Sequence, residues 1–139
     1  MRVGLAVLLS FTLALVATGC GRSSNIVPVS GRVTMDGQPL AEARVTFQPM
    51  GDWGNPYAGT ASYGVTDQEG RYSLRLVDSD RPGAIVGKHR VTITPKQSAA
   101  SSSDVDYFKS LPPNQKPQTL EFEVPPTGTT EANFDLVSQ

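Results

Sequence analysis

This sequence has one thiol and one imidazole, two side chains that often act in catalysis or bind metals. They are Cys20 and His89. A disulfide within the chain needs a second thiol, a Cys/His zinc site needs three or four such ligands, and many catalytic arrangements need a second histidine. The composition therefore excludes these sites, and we expect no cofactor and no metal ion.

The position of His89 within its segment predicts a structural role. His89 shares the alternation phase of Val91 and Ile93, which predicts a ring that points inward or lies at a sheet edge with one hydrogen bond. A general base needs a nucleophile or a carboxylate beside it, and the sequence predicts neither at this place. We therefore expect a non-enzymatic protein, with catalysis by His89 as the less favoured alternative.

Two pairs of acidic residues raise the question of calcium binding. Asp78 with Asp80, and Asp104 with Asp106, offer carboxylates close together in sequence. Calcium requires six to eight oxygen ligands, and neither pair has the spacing of a known calcium-binding loop. Solvated loop acids are the preferred interpretation.

The best candidates for ligand binding are three aromatic residues in or just beyond the loop at 50–62. They are Trp53, Tyr57 and Tyr63. Exposed rings stack on the faces of sugars, and the glycines of this loop would let a ligand approach the backbone. The alternative, favoured for Trp53, is that its ring folds back and caps one end of the domain.

The first 19 residues predict an export signal. One arginine precedes an apolar run at 3–16, and small residues follow it. As a helix the run would extend roughly 21 Å, less than the ~30 Å hydrocarbon core that a permanent transmembrane helix crosses. A cleaved secretory signal at 1–19 is therefore expected.

The end of this signal resembles a bacterial lipobox. The residues are Ala17-Thr18-Gly19-Cys20, with alanine where the motif usually has leucine. The resemblance implies a diacylglyceryl group on the Cys20 thiol and cleavage before it, so that acyl chains would hold the protein to a membrane. Gly21, instead of the aspartate that tends to retain such proteins at the inner membrane, points to the outer membrane or cell surface. The alternatives are that Cys20 ends an ordinary secretory signal or is a small buried apolar residue.

The remaining chain predicts a flexible tether at 20–27 and one all-β domain at 28–137. The length of 139 residues has room for one domain, and 13 Gly with 11 Pro favour turns and extended segments. Apolar and polar residues alternate in seven runs, whereas no window of a dozen residues keeps an apolar helical period. The runs lie at 27–36, 41–49, 61–66, 71–76, 88–96, 119–124 and 132–136.

Each of these predicted strands has one apolar face, which predicts two sheets packed face to face. The expected architecture is a seven-stranded antiparallel Greek-key β-sandwich, transthyretin-like or immunoglobulin-like in size and class. Asp36-Gly37 and the segment 66–70 have the composition of turns, and 61–76 is a candidate hairpin. A long Ser/Pro-rich loop is expected at 97–118.

Three segments carry a resemblance to a known family. Residues 29–47, 66–74 and 87–93 follow the pattern V-x-G-x-V-x-x-D-G-x-P-L-x-x-A-x-V, then T-D-x-x-G-x-Y, then G-x-x-x-V-x-I. This resembles the carboxypeptidase regulatory-like domain, a transthyretin-like (prealbumin-like) β-sandwich among the carbohydrate-binding-like folds. One departure is Glu42, where the family often has glycine. With the lipobox, the chain resembles small surface lipoproteins that carry this domain alone.

The resemblance does not imply an enzyme. Hydroxyisourate hydrolases of transthyretin-like fold depend on several His and Arg residues and a Tyr-Arg-Gly-Ser-like terminus, whereas this chain ends Leu136-Val137-Ser138-Gln139. Intradiol dioxygenases of related fold hold iron with two His and two Tyr, and one His cannot supply that set. No zinc peptidase motif is present.

The charge pattern limits the expected partners. The formal net charge of −1 and the lack of an arginine-lysine run give no basic field for nucleic acid. We expect attachment to a membrane through the acyl chains, with envelope proteins or polysaccharide as further partners. The leading hypothesis is a non-catalytic, lipid-anchored envelope protein, and the alternative is a carbohydrate-binding module that uses the loop aromatics.

Overall fold

The computed structural model describes residues 25–51, 58–96, 112 and 116–138, and all regular elements in these ranges are β-strands. The prediction of an all-β fold is confirmed. In these ranges no helix has the length and apolar character needed to span a membrane. The strands are β1 (Ile26–Val27), β2 (Ser30–Met35), β3 (Gln38–Pro39), β4 (Arg44–Pro49), β5 (Ser62–Val65), β6 (Arg71–Ser73), β7 (Arg75–Leu76), β8 (Ala84–Ile85), β9 (Gly87–Thr94), β10 (Gln118–Val124) and β11 (Phe134–Leu136).

The larger sheet has five strands in the order β10-β9-β4-β5-β7, and all its pairs are antiparallel. Its long central ladder forms because β4 and β9 alternate strictly. Val45 and Phe47 on β4, and Val91 and Ile93 on β9, are fully buried on one face, while polar residues occupy the other. This sheet contributes five of the fifteen buried residues of the apolar core, the fifth being Val124 of β10.

A second sheet is built around β2. Strand β11 lies on one side of β2 and runs parallel to it, and β3 and β6 pair with its other side at opposite ends. The β2–β3 hairpin closes through Asp36 and Gly37, which both have positive φ (50° and 81°), as a two-residue hairpin turn requires.

One segment passes from the second sheet to the first. In residues 71–76, β6 pairs with β2 and β7 pairs with β5, with Leu74 between them. A Cβ on Gly64 would lie 2.6 Å from the Ser73 carbonyl oxygen, so glycine is needed where β5 passes the backbone of β6. The candidate hairpin at 61–76 is therefore present through β5 and β7, while β6, the first part of its second arm, joins the other sheet.

The inward faces of the two sheets share one core. Its aromatic centre is Phe47, Phe122 and Phe134, whose ring centroids lie 5.7 to 6.1 Å apart at edge-to-face angles. The other buried apolar members include Val33 and Leu136 from the second sheet. The arrangement is sandwich-like, and each of the seven predicted runs overlaps at least one strand.

The structure departs from the sequence expectations in three places. Strands β3 and β8 were not expected, because two residues are too few to show an alternation. The pairing is not antiparallel throughout, since β11 is parallel to β2. Residues Ile26 and Val27, expected in the tether, pair with Ile85 and Ala84, because Val27 packs against the core.

Glu42 has a left-handed backbone conformation, with φ of 57°. A positive φ of this size favours glycine, which is the residue that the resembled family often has at this position. Its carboxylate accepts a hydrogen bond of 2.6 Å from Lys96 Nζ, and both side chains are largely exposed. Glutamate is therefore tolerated here at some cost in backbone energy.

Candidate functional site

Several residues singled out in the sequence lie outside the described residues. These are Cys20, Trp53, Tyr57, Asp104 and Asp106, together with most of the predicted loop at 97–118. Their predicted roles stay predictions. Tyr63, His89, Asp78 and Asp80 are described and are taken in turn.

His89 is a core residue. It is 1% exposed, and its ring centroid lies 5.6 Å from that of Phe47. Nδ1 lies 3.0 Å from the Gly87 carbonyl oxygen, which can only accept, so Nδ1 carries the proton and donates. Nε2 is buried and has no hydrogen-bond partner among the described residues. The prediction of an inward-facing ring with one hydrogen bond is confirmed.

Burial determines the charge of this imidazole. Desolvation lowers the pKa of His89 from its ordinary value of 6.5, and the hydrogen bond to Gly87 opposes this only in part. The cross-strand neighbours of His89 are Phe122 and Pro49, which carry no charge. The ring is therefore neutral at pH 7, and none of its described contacts would activate it as a base.

Tyr63 lies on the outer face of the five-stranded sheet and is half-buried. The Arg44 guanidinium carbon lies 4.7 Å from the centroid of its ring, which is the geometry of a cation–π contact. Thr46 and Arg75 are its cross-strand neighbours. The ring therefore has one face covered by Arg44 and polar side chains on either side.

The acidic pair Asp78 and Asp80 lies in an exposed turn after β7. Asp80 Oδ2 accepts a hydrogen bond of 2.7 Å from Arg75 Nη1, so this carboxylate already has a cation. Within the described ranges no group of three His, Cys, Asp or Glu residues is placed to hold a metal ion.

A groove of about 560 Å³ lies over the outer face of β6. We call it the arginine groove. The groove extends over the end of β5 and the turn after it, over β6 and β2, and reaches the segment before β11, which lies on the far side of β2 from β6. Its side chains are those of Ser30, Arg32, Val65, Asp67, Arg71, Ser73, Thr130 and Asn133, with backbone from Gly31 and Tyr72.

Two arginines lie directly opposite each other in this groove. Arg32 on β2 and Arg71 on β6 are cross-strand partners, and both are exposed. Arg32 Nε donates to the Glu69 carbonyl oxygen at 3.0 Å, and Arg71 Nη1 lies 3.8 Å from Glu69 Oε2. Because the Arg71 and Glu69 side chains are 70% and 68% exposed, this ion pair contributes little to stability.

Asp67, the acidic residue that lines the groove, forms its hydrogen bonds within the turn at 66–70. Asp67 Oδ1 accepts hydrogen bonds of 2.9 Å from the backbone N–H groups of Glu69 and Arg71. Gly70 completes the turn with a φ of 76°. This confirms the predicted turn. The Asp67 carboxylate stabilises the turn and fixes the backbone at Arg71.

Sequence reasoning missed the arginine groove. Arg32 and Arg71 each fall in the exposed phase of a predicted strand, which is the signal that was available. Their juxtaposition depends on the register between β2 and β6, and no local pattern encodes that register.

The comparisons with known proteins add no assignment. No protein-family model, no curated protein and no solved structure matches this chain. Function therefore has to be argued from the residues and their geometry.

Proposed function

We propose that this chain is a non-catalytic, lipid-anchored protein of the outer membrane or cell surface, whose β-domain is a structural or protein-interaction module. The order of features along the chain carries the proposal: an apolar run, small residues, the single thiol Cys20, and then the folded domain. Burial of His89, the one histidine, supports the non-catalytic part.

The short distance between Cys20 and the first strand agrees with an anchor. Strand β1 begins at Ile26 and is fixed to β8, and the Val86 N–H donates to the Asn25 carbonyl at 2.7 Å. Residues 20–26 can extend over about 20 Å at most. An acylated Cys20 would therefore hold the β1–β8 end of the domain close to the membrane surface.

The lipid anchor is tested by replacing the thiol. The Cys20→Ala variant should not incorporate radiolabelled palmitate, and it should leave the membrane fraction, whereas the wild-type chain stays there. Ser24→Ala, four residues along in the same segment, is the matched control and should behave as wild type. An unlabelled wild-type chain, or a Cys20→Ala variant that remains membrane-bound, would contradict the proposal.

The finer assignment of the fold is also part of the proposal. The seven alternating runs and the single core shared by two sheets support a seven-stranded Greek-key sandwich like the carboxypeptidase regulatory-like domain. The left-handed Glu42, at a position where that family often has glycine, adds support. The short strands β1, β3 and β8 would then be additions to a seven-stranded framework.

A second candidate function is carbohydrate binding on the outer face of the five-stranded sheet. Tyr63 supports it, because its ring lies beside hydroxyl and guanidinium groups that hydrogen-bond sugars. Thr46 and Thr92 continue the same row across β4 and β9. A sugar would stack on the ring face that Arg44 leaves free, with Trp53 and Tyr57 as further rings from the loop.

Variants at Tyr63 test this second candidate. On an array of envelope polysaccharides, Tyr63→Ala should lose binding and Tyr63→Phe should retain it, because stacking needs the ring and not the hydroxyl. Val77→Ala, at an exposed valine directly after the neighbouring strand β7 that does not line the arginine groove, is the control for local disturbance. Equal binding by wild type and Tyr63→Ala would remove Tyr63 from the candidate site.

A further inference from the structure

The arrangement of Arg32 and Arg71 is unfavourable for the isolated domain. Like charges directly opposite each other on one face of a sheet repel. The described contacts relieve this only slightly, since one guanidinium donates a single bond to a carbonyl and the other has a distant, exposed carboxylate. Two fork-shaped donor groups thus retain most of their hydrogen-bonding capacity at the surface of one groove.

Apart from Val65 and Asp67, the other side chains that line the groove are polar and uncharged. Ser30 and Ser73 are directly opposite each other on β2 and β6, next to the arginine pair. Thr130 and Asn133 line the groove from the segment beside β2, and Asn133 Oδ1 accepts from the backbone N–H of Arg32 at 2.9 Å. The Asn133 amide group therefore still has its NH₂ donors available. A ligand would meet two cations and then a row of groups that donate to and accept from hydroxyls.

The charge of the groove selects the type of anion. Asp67 and Glu69 lie near Arg32 and Arg71, and their negative charges disfavour an anion that concentrates two charges on one group, as phosphate does. A planar carboxylate matches two guanidinium forks in shape and carries one charge.

We propose that the arginine groove binds a carboxylate that carries hydroxyl groups, as in an acidic saccharide. Arg32 and Arg71 hold the carboxylate, and the residues Ser30, Ser73 and Asn133 bind the hydroxyls. Tyr63 does not line this groove, although Val65, two residues along on the same face of β5, does. The site does not depend on the lipid anchor, and it is tested separately from the functions proposed above.

Calorimetry with a defined acidic oligosaccharide tests the site. The full chain, purified in detergent micelles, is titrated with trigalacturonate and with the neutral trisaccharide cellotriose. Trigalacturonate should bind saturably and cellotriose should not. Arg32→Gln and Arg71→Gln should each weaken binding by about ten-fold or more, because each removes hydrogen bonds to a charged group. Arg71→Lys should also weaken it, because it keeps the charge but loses the fork.

Arg90→Gln is the matched control, since Arg90 is an exposed arginine on β9 that does not line the groove. It should bind trigalacturonate as wild type does. All three positions are exposed, so the variants should melt at similar temperatures. Absence of saturable binding, equal binding of cellotriose, or unchanged binding by both Gln variants would overturn the proposal. Displacement of trigalacturonate by an equal concentration of inorganic phosphate would overturn the assignment to a carboxylate.

Discussion

The buried imidazole of His89 gives the fold a pH dependence that can be assigned to one residue. The unfolded chain binds a proton at this group with a pKa near 6.5, whereas burial lowers the pKa in the folded state. The unfolded state therefore gains protons first as the pH falls. The contribution of His89 to stability should be constant above about pH 7 and should decrease below 6.5, by at most about 1.4 kcal/mol per pH unit.

Urea unfolding at pH 7.5 and 5.5 measures this effect, and the His89→Leu variant identifies its source. Since the chain has one His, the variant should lose the decrease in unfolding free energy over this interval. His89→Gln serves the same purpose if leucine does not pack. A variant with the same pH dependence as wild type would show that another group is responsible.

At the scale of the elements, a buried threonine fixes the chain between β3 and β4. The Thr66 hydroxyl donates to the Leu40 carbonyl at 2.6 Å and accepts from the Ala43 N–H at 2.8 Å. Backbone bonds join the same segments, from Glu42 N to Thr66 O and from Thr66 N to Ala43 O. The side chain therefore satisfies two backbone groups that would otherwise be buried without a partner.

Thr66→Val keeps the shape of this side chain and removes both hydrogen bonds. We expect it to lower the free energy of unfolding by about 1 to 3 kcal/mol, the cost of leaving a buried polar group unsatisfied. Thr92→Val makes the same change on the outer face of β9, where the side chain is half-exposed, and should have little effect. Equal denaturation midpoints for Thr66→Val and Thr92→Val would contradict the proposed role of the Thr66 hydroxyl in fixing the segment between β3 and β4.

The strands were largely predictable from sequence because alternation is a local property. Val45 and Phe47 alternate with Thr46 and Gln48 whatever the rest of the chain does, and the structure buries the first pair. Turn chemistry is local as well, as Asp67 and Gly70 illustrate. The transfer of 71–76 between sheets was not predictable, because it depends on the close approach of β6 to Gly64.

At the scale of the whole molecule, the pairing between segments that are distant in sequence could not be predicted. The parallel contact of β11 with β2 joins residues about 100 positions apart. The same kind of contact places Arg32 opposite Arg71, and so creates the candidate site. The alternation in a single sequence indicates which face of a strand is exposed to solvent. The register between strands decides which exposed residues become neighbours.

The five-stranded sheet leaves β10 as an edge strand, with β9 as its one neighbour among the described residues. Seven residues of open edge would invite pairing with another chain unless it were protected. Glu121 and Glu123 are exposed on this strand, opposite Arg90 and Lys88 of β9. In a second copy docked edge to edge, the glutamates of the two β10 strands would come together and repel.

Removing these charges should therefore promote self-association. The Glu121→Val/Glu123→Val double variant should sediment as dimers and larger species at concentrations where the wild-type domain in the same detergent is monomeric. Lys88→Val/Arg90→Val is the matched control, because it adds equal apolar surface one strand further in, at the cross-strand partners of the same two positions. It should remain monomeric, since the edge keeps its acidic side chains. If both double variants associate equally, added apolar surface is the cause, and β10 is not protected by its glutamates.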